Sequence, residues 1–449
     1  MQPNLNPMNP QPRKNKRRYL SVKKKFWASH LFAFSWMALS IYITLPWLSD
    51  LSHILSFPVA FIIIAGIAYI PGYMNAFLVA SLSLDRQQPF VDEFPRDSIT
   101  LLIAAHNEES SIKETLSYVK EQDYNGRINV ILINNCSTDQ TVKRALEAKE
   151  EFGLNLAILH EDKPGKFHAL NRGLKEVTTD YLITLDADTL LHPSAIRYLV
   201  ARMKSSPSDV CAVAGSVLVK NSRDNLWTKI QEWDYFLGIA SIKRLQGLYQ
   251  GTLVAQGAYS LYKTESIQKV NGWPDAIGED IVLTWRLLEK GWKVYFEPLA
   301  VAFTEAPNTL KHFIRQRSRW ARGMIEGLAQ IKPWQQPQIY TKYLTGMNFV
   351  MPYLDLTYTL GWIPGLILAL FGYYWIVGAM TLFVLPLTFL SFGLLYLFQT
   401  KFVFKPLKLK VRKNLTGFLL FILFYQMIMS PVSVYGYIQE LFKFKRRWK

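Results

Sequence analysis

The chain predicts a mainly parallel α/β domain inserted in a bundle of membrane-spanning helices, and three observations carry that expectation. Long uncharged stretches flank a central segment of ordinary polarity. Within that segment, short apolar runs alternate with amphipathic helical patterns, and acidic or amide residues collect where the apolar runs end.

Half of the 449 residues are hydrophobic and 14% are aromatic. The excess is concentrated in Phe26 to Leu48, Ile54 to Leu82, Thr345 to Thr400 and Leu415 to Gln439, where Asp355 is the one charged residue within Thr345 to Thr400. Stretches of this kind meet the roughly 20-residue length that a helix needs to cross a bilayer. The formal charge of +17 lies mostly beside them: eight basic residues between Arg13 and Lys25, six between Lys401 and Lys413, five between Lys443 and Lys449. Such juxtamembrane clusters mark the cytoplasmic side and attract anionic lipid head groups. A nucleic-acid partner is excluded on the same distribution, because a binding face would gather its charge on the folded domain.

The predicted order is a disordered basic tail (1–25), two spans (26–84), a cytoplasmic domain (85–308), interfacial helices (309–344), two spans broken near Gly372 to Tyr374 (345–400), a basic cytoplasmic loop (401–414) and a fifth span with a basic end (415–449). The fifth span would leave that basic end outside, against the charge rule; a break at Pro431 that turns the segment back is the alternative. The chain is thus expected to be a multi-pass protein of the cell membrane. Cys136 and Cys211 make no disulfide framework and fit a reducing cytosol.

In the domain, Ile99 to Ala105 reads as a strand, Glu108 to Lys120 as a helix, Asn129 to Ile133 as a strand and Thr141 to Phe152 as a helix. Asn155 to Leu159 is the next strand and Lys166 to Val177 the next helix; a further strand from Tyr181 ends at Asp186. Ligands of open α/β sheets bind beyond the carboxyl ends of the strands, so His106, Asn107, Glu108, Asn134, Asn135, Asp186 and Asp188 are expected to line one crevice. The carboxylates of Asp186 and Asp188 suit a hard divalent cation, Mg²⁺ or Mn²⁺, held together with substrate phosphates.

Five motifs stand in order: AAHNEE (Ala104 to Glu109), NNCSTD (Asn134 to Asp139), DAD (Asp186 to Asp188), GED (Gly278 to Asp280) and QRSRW (Gln316 to Trp320). With KPGKFHALN (Lys163 to Asn171), they resemble the membrane-embedded, processive members of glycosyltransferase family 2, which have the GT-A fold. The likeness covers about Ser98 to Lys332 and is greatest to bacterial poly-β-1,6-N-acetylglucosamine synthases. NNCSTD departs from the family pattern, which has an acidic pair at the positions of Asn134 and Asn135.

The resemblance implies an inverting enzyme that adds sugar, N-acetylglucosamine by preference, from a UDP-sugar donor to a growing β-linked polysaccharide and exports it. It implies that Asp280 is the general base, that Asp188 binds the metal and that Asp186 supports the metal or contacts the donor. His106, Glu108, Asn135, Lys166 and Arg319 would face the nucleotide diphosphate. Trp320, Gln316, Gly257 and Glu279 would face the acceptor; Gln316, Arg319 and Trp320 fall on one helix face by spacing. Membrane lipids are expected partners, and a small membrane accessory subunit is compatible with the pattern. Single transfer to a lipid acceptor, a cellulose-like or hyaluronan-like synthase, and a catalytically silent membrane protein are the alternatives.

Overall fold

The computed structural model describes residues 20–85 and 88–445. Most of the predicted tail and the last four residues, three of them basic, lie outside them.

The central segment forms eight strands: β1 (Ile99–Ala105), β2 (Ile128–Asn135), β3 (Leu156–Glu161), β4 (Tyr181–Asp186), β5 (Leu190–Leu191), β6 (Val210–Val219), β7 (Tyr259–Lys263) and β8 (Lys293–Thr304). They make one sheet in the order β3-β2-β1-β4-β7-β6-β8-β5. β1 to β4 are parallel to one another. The expected mainly parallel sheet is instead mixed, because β7 runs antiparallel to both β4 and β6, and β5 antiparallel to β8. That reversal has a use. Tyr259 pairs with Leu185, so the residues just before β7 arrive at the edge where β4 ends.

Alternate strand residues feed apolar layers on both faces of the sheet. Ile99, Leu101 and Ile103 are buried with Ile112, Leu116 and Val119 on one side, while Leu102, Ile131 and Ile133 are buried with Ala169 and Leu170 on the other. The helix after β1 spans Ile112–Lys120, starting four residues later than its apolar periodicity predicts. Residues 107–109 are held instead by the turn after β2: Asn107 N–H donates to Ser137 Oγ, Glu108 N–H to Thr141 Oγ1 and Glu109 N–H to Asp139 Oδ2. These bonds hold Asn107 at φ 56°, outside the helical region, and the Glu108 carbonyl then accepts from Ile112 N–H at 3.0 Å.

Helices Val22–Leu55, Phe57–Ser83, Ile339–Leu370 and Leu415–Leu441 are long and apolar enough to cross a membrane. Ala379–Gln399 adds an apolar helix beyond a break at 371–378. Three of these helices contain a widened turn, at Ala65–Tyr69, Tyr358–Trp362 and Phe421–Tyr425, and the first two turns are followed by Ile-Pro-Gly at Ile70 to Gly72 and Ile363 to Gly365. A proline has no N–H and its ring crowds the preceding turn, which widens to make room. The first two widened turns meet: a Cβ on Gly66 would lie 2.6 Å from Thr357 Oγ1.

Two apolar clusters hold these helices. On the domain side, Phe26 packs edge-on to Phe77 and to Tyr249, and Tyr343 closes on Phe77 with ring centroids 4.8 Å apart. Tyr249 belongs to the segment that follows an amphipathic stretch at 226–248, so this collar fastens the helices to the domain. At the other end, Leu48, Leu51, Ala60 and Ile64 pack with Ile376 and Val377.

Candidate active site

The carboxyl ends of β1, β2 and β4 deliver His106, Asn135 and Asp186 to one edge, as the parallel order requires. The DAD turn is pinned there. Thr115 Oγ1 donates to the Ala187 carbonyl at 2.8 Å, Asp186 N–H donates to the Ala258 carbonyl at 3.2 Å, and Thr189 N–H donates to the Asp186 carbonyl at 3.1 Å.

Lys166 begins the helix Lys166–Leu174, and its ammonium donates to Asp186 Oδ1 while standing 4.0 Å from Glu279 Oε1. Glu279 and Asp280 open the helix Glu279–Glu289. Asp280 is fixed by two backbone donors, Ile281 N–H to Oδ1 at 2.9 Å and Gly257 N–H to Oδ2 at 3.3 Å. A Cβ on Gly257 would sit 2.9 Å from Lys166 Nζ and displace the ammonium. Asp186, Lys166, Glu279, Asp280 and Gly257 therefore form one contiguous cluster, although they come from three distant parts of the sequence.

The helix Leu310–Gln330 carries QRSRW and closes on this cluster through a pair of glycines: a Cβ on Gly323 would lie 2.8 Å from Gly278 Cα. The Glu326 carboxylate also accepts from Ile277 N–H at 2.7 Å. Arg319 and Trp320 are exposed on this helix, and Gln316 has a buried Oε1 with no donor among the described residues.

The charges of the cluster do not cancel. Enclosure by the cleft, with Asp186 and Glu108 nearby, pushes the Asp188 carboxyl up to about 6. Enclosure and Asp280 push Glu279 up to about 7, against the pull of Lys166 and Arg319. Burial lowers the Lys166 ammonium, but Asp186 and Glu279 outweigh it and hold it above its ordinary value. Asp188 also stands near the hydroxyls of Thr189 and Thr304, at 3.3 and 3.5 Å from its Oδ1.

Asn135 departs from the role that the sequence implies. Its side chain is fully buried: Nδ2 donates to the carbonyls of Glu161 and Lys163, and Oδ1 accepts from Gly165 N–H at 2.8 Å. The amide is used up holding the loop before Lys166. An aspartate could not do this, having no hydrogens to give to two carbonyls. His106 Nδ1 lies 2.7 Å from the Asn135 carbonyl, which orients the ring, and Glu108 accepts from Ser111 Oγ.

The sequence reading missed Arg317 and Tyr235. Arg317 is fully buried, pairs with Asp234 at 2.5 Å, and lays its guanidinium 3.9 Å from the centre of the Trp320 ring. A cation over an indole is worth roughly 0.5 to 2 kcal/mol and fixes the ring plane. Tyr235 packs on Trp320 with centroids 6.2 Å apart. Position 317 lies one residue after Gln316 and off its face, and spacing alone reads it as a surface charge.

Residues 95–323 match the family model described as "Glycosyltransferase like family 2". The poly-beta-1,6-N-acetyl-D-glucosamine synthase of Staphylococcus aureus (strain COL) is 36% identical over 239 residues, 53% of this chain and 57% of that protein. The chain thus matches a little over half the length of that relative. The synthase of the same name from Staphylococcus epidermidis is 30% identical over 295 residues, 65% of this chain and 70% of its own. Among solved structures, a mannosyltransferase from Pyrobaculum calidifontis, in complex with GDP-Man and Mn²⁺, superposes with a TM-score of 0.59 at 19% identity, covering 86% of this chain and 99% of its own, and shares the fold.

Two outcomes test the geometry. Asn135→Asp is expected to lower folding stability by about 1 to 3 kcal/mol, because two buried carbonyls lose their donor; thermal unfolding in detergent measures it. Asp188 and Glu279 have folded-state values above their unfolded ones, so the stability they give is present below about pH 4 and falls as pH rises to about 7. In chelator, the unfolding midpoint of the wild type should therefore drop across that window more than that of Asp188→Asn/Glu279→Gln.

Proposed function

Because the chain belongs to glycosyltransferase family 2, we propose that this glycosyltransferase adds N-acetylglucosamine from UDP-N-acetylglucosamine to a growing β-linked polysaccharide on the cytoplasmic side of the cell membrane, and passes the product outward between its spans. The observation that carries the mechanism is the seat of Asp280. Two backbone N–H groups hold its carboxylate at a helix start, beside the Lys166–Asp186 pair. A carboxylate fixed in this way can take the proton of an acceptor hydroxyl as that oxygen attacks the sugar. Attack from the side opposite the diphosphate inverts the anomeric carbon, so an α-linked donor gives a β-linkage.

The donor set fits Mg²⁺ or Mn²⁺. Asp186 and Asp188 offer oxygens only; Lys166 pairs with Asp186, while Asp188 is enclosed by the cleft beside the hydroxyls of Thr189 and Thr304. Among the described residues no third His, Cys, Asp or Glu joins them, which suits ions that keep several waters and take substrate phosphates as ligands. Such an ion would disperse the charge of the departing diphosphate. Lys166 and Arg319 add point charges for the same group. His106 and Glu108 stand where the nucleoside would lie, and the Trp320 indole, with its ring plane set by Arg317, offers an acceptor sugar a flat apolar surface. The likeness to the staphylococcal synthases supports the polymer and the sugar.

Purified protein given each UDP-sugar with Mn²⁺ should make polymer from UDP-N-acetylglucosamine that a β-1,6-specific hydrolase degrades. Asp280→Asn is expected to lower transfer by about 10²- to 10⁴-fold while UDP still binds, and unchanged turnover would remove the base assignment. Mn²⁺ should raise the unfolding midpoint at pH 7.5, and Asp188→Asn should abolish that rise.

A further inference from the structure

The helix Leu415–Leu441 has the length and polarity of a span, but both of its ends are tied to the catalytic side. Before it, Leu407 is buried with Leu218 and Val301 of the sheet domain, and its carbonyl lies 3.2 Å from His192 Nε2. Arg223 donates to the Arg412 carbonyl, and Asn414 donates to the Lys229 carbonyl and accepts, through its own carbonyl, from Trp233 Nε1. After it, Arg322 pairs with Glu440 at 3.0 Å and donates to the Phe444 carbonyl at 2.8 Å. Arg322 adjoins Gly323, which touches the loop that carries Asp280.

The helix is unbroken between those anchors. It absorbs Pro431 and a widened turn at Phe421–Tyr425 without reversing. Along its course it follows the QRSRW helix in the same direction: Tyr425 meets Phe313, Gly436 meets Ser318 and Ala321, and Glu440 meets Arg322. Ser430 and Tyr437 both donate to Asp355 at 2.7 Å. A single helix that starts and ends on one side of a bilayer has not crossed it.

We propose that this terminal helix lies in the membrane plane along the base of the catalytic domain, with its free face in the head-group and acyl boundary, so that the chain crosses four times and both basic ends share the catalytic side. The inference rests on the reading that the other four apolar helices cross. Its side chains divide accordingly. Leu415, Leu419, Leu423, Phe424, Tyr435 and Ile438 are exposed, whereas Gly417, Ser430, Ser433 and Gly436 face protein. An apolar free face is what contact with lipid requires, and the tied ends, not this division, place the helix along the surface. Lys443 and Lys445 are exposed just past the helix, where anionic head groups would meet them, and the conflict with the charge rule disappears.

The test uses full-length protein in intact cells with Cys136→Ser, leaving the buried Cys211 in place. Single cysteines replace Lys445, Glu150 in the sheet domain and Asp50 near the far end of the helix Val22–Leu55. An impermeant maleimide should label Asp50→Cys in intact cells, and should label Glu150→Cys and Lys445→Cys only after permeabilisation. Lys445→Cys labelled from outside overturns the proposal, whereas Glu150→Cys labelled from outside would instead overturn the cytoplasmic placement of the domain. A protease-cleavable tag after Lys449 gives the same readout without the cysteine background. In proteoliposomes, nitroxides at Leu423 and Tyr435 should report equal depth; a depth difference near the ~18 Å that twelve helical residues span would show a crossing instead.

Discussion

The ammonium of Lys166, wedged between Asp186 and Glu279, is the contact on which the cleft depends. Acidic groups from the end of β4 and from the start of the Glu279–Glu289 helix would repel one another in so small a space. One lysine from a third segment lets them approach, yet it does not neutralise them all. Burial first, and then the neighbouring carboxylates, hold Asp188 and Glu279 well above the usual carboxylate range.

Backbone approach makes this crowding possible. Gly257 lets the Lys166 ammonium through, and the Gly278–Gly323 contact brings two helices to touching distance. The antiparallel turn of β7 serves the same end, since it brings the loop before Tyr259 to the edge where Asp186 stands. Fold and site are thus one arrangement: altering the sheet order at β7 would remove a donor from Asp280.

Much of this was legible beforehand, and the failures have physical causes. Strand ends were readable because apolar runs stop where the chain meets the cleft, so His106, Asp186 and Lys166 fell where expected. The late start of the helix at Ile112 was hidden, because the hydrogen bonds that delay it come from a turn some thirty residues away. The part played by Asn135 was hidden likewise, since its partners are main-chain atoms of the loop at 161–165, which carry no sequence signature. Arg317 reads as one more surface charge until Asp234 and Trp320 are seen around it. Composition identified the terminal helix as apolar but could not say where its two ends are tied.

The widened turns at Ala65–Tyr69 and Tyr358–Trp362 have a mechanical meaning. They meet at Gly66 and Thr357 and belong to the apolar cluster of Leu48, Ile64 and Ile376. Pro71 and Pro364 interrupt the ladder of backbone hydrogen bonds just past the same level. Neither proline can donate to that ladder, so bending these spans here breaks fewer backbone hydrogen bonds than bending them elsewhere.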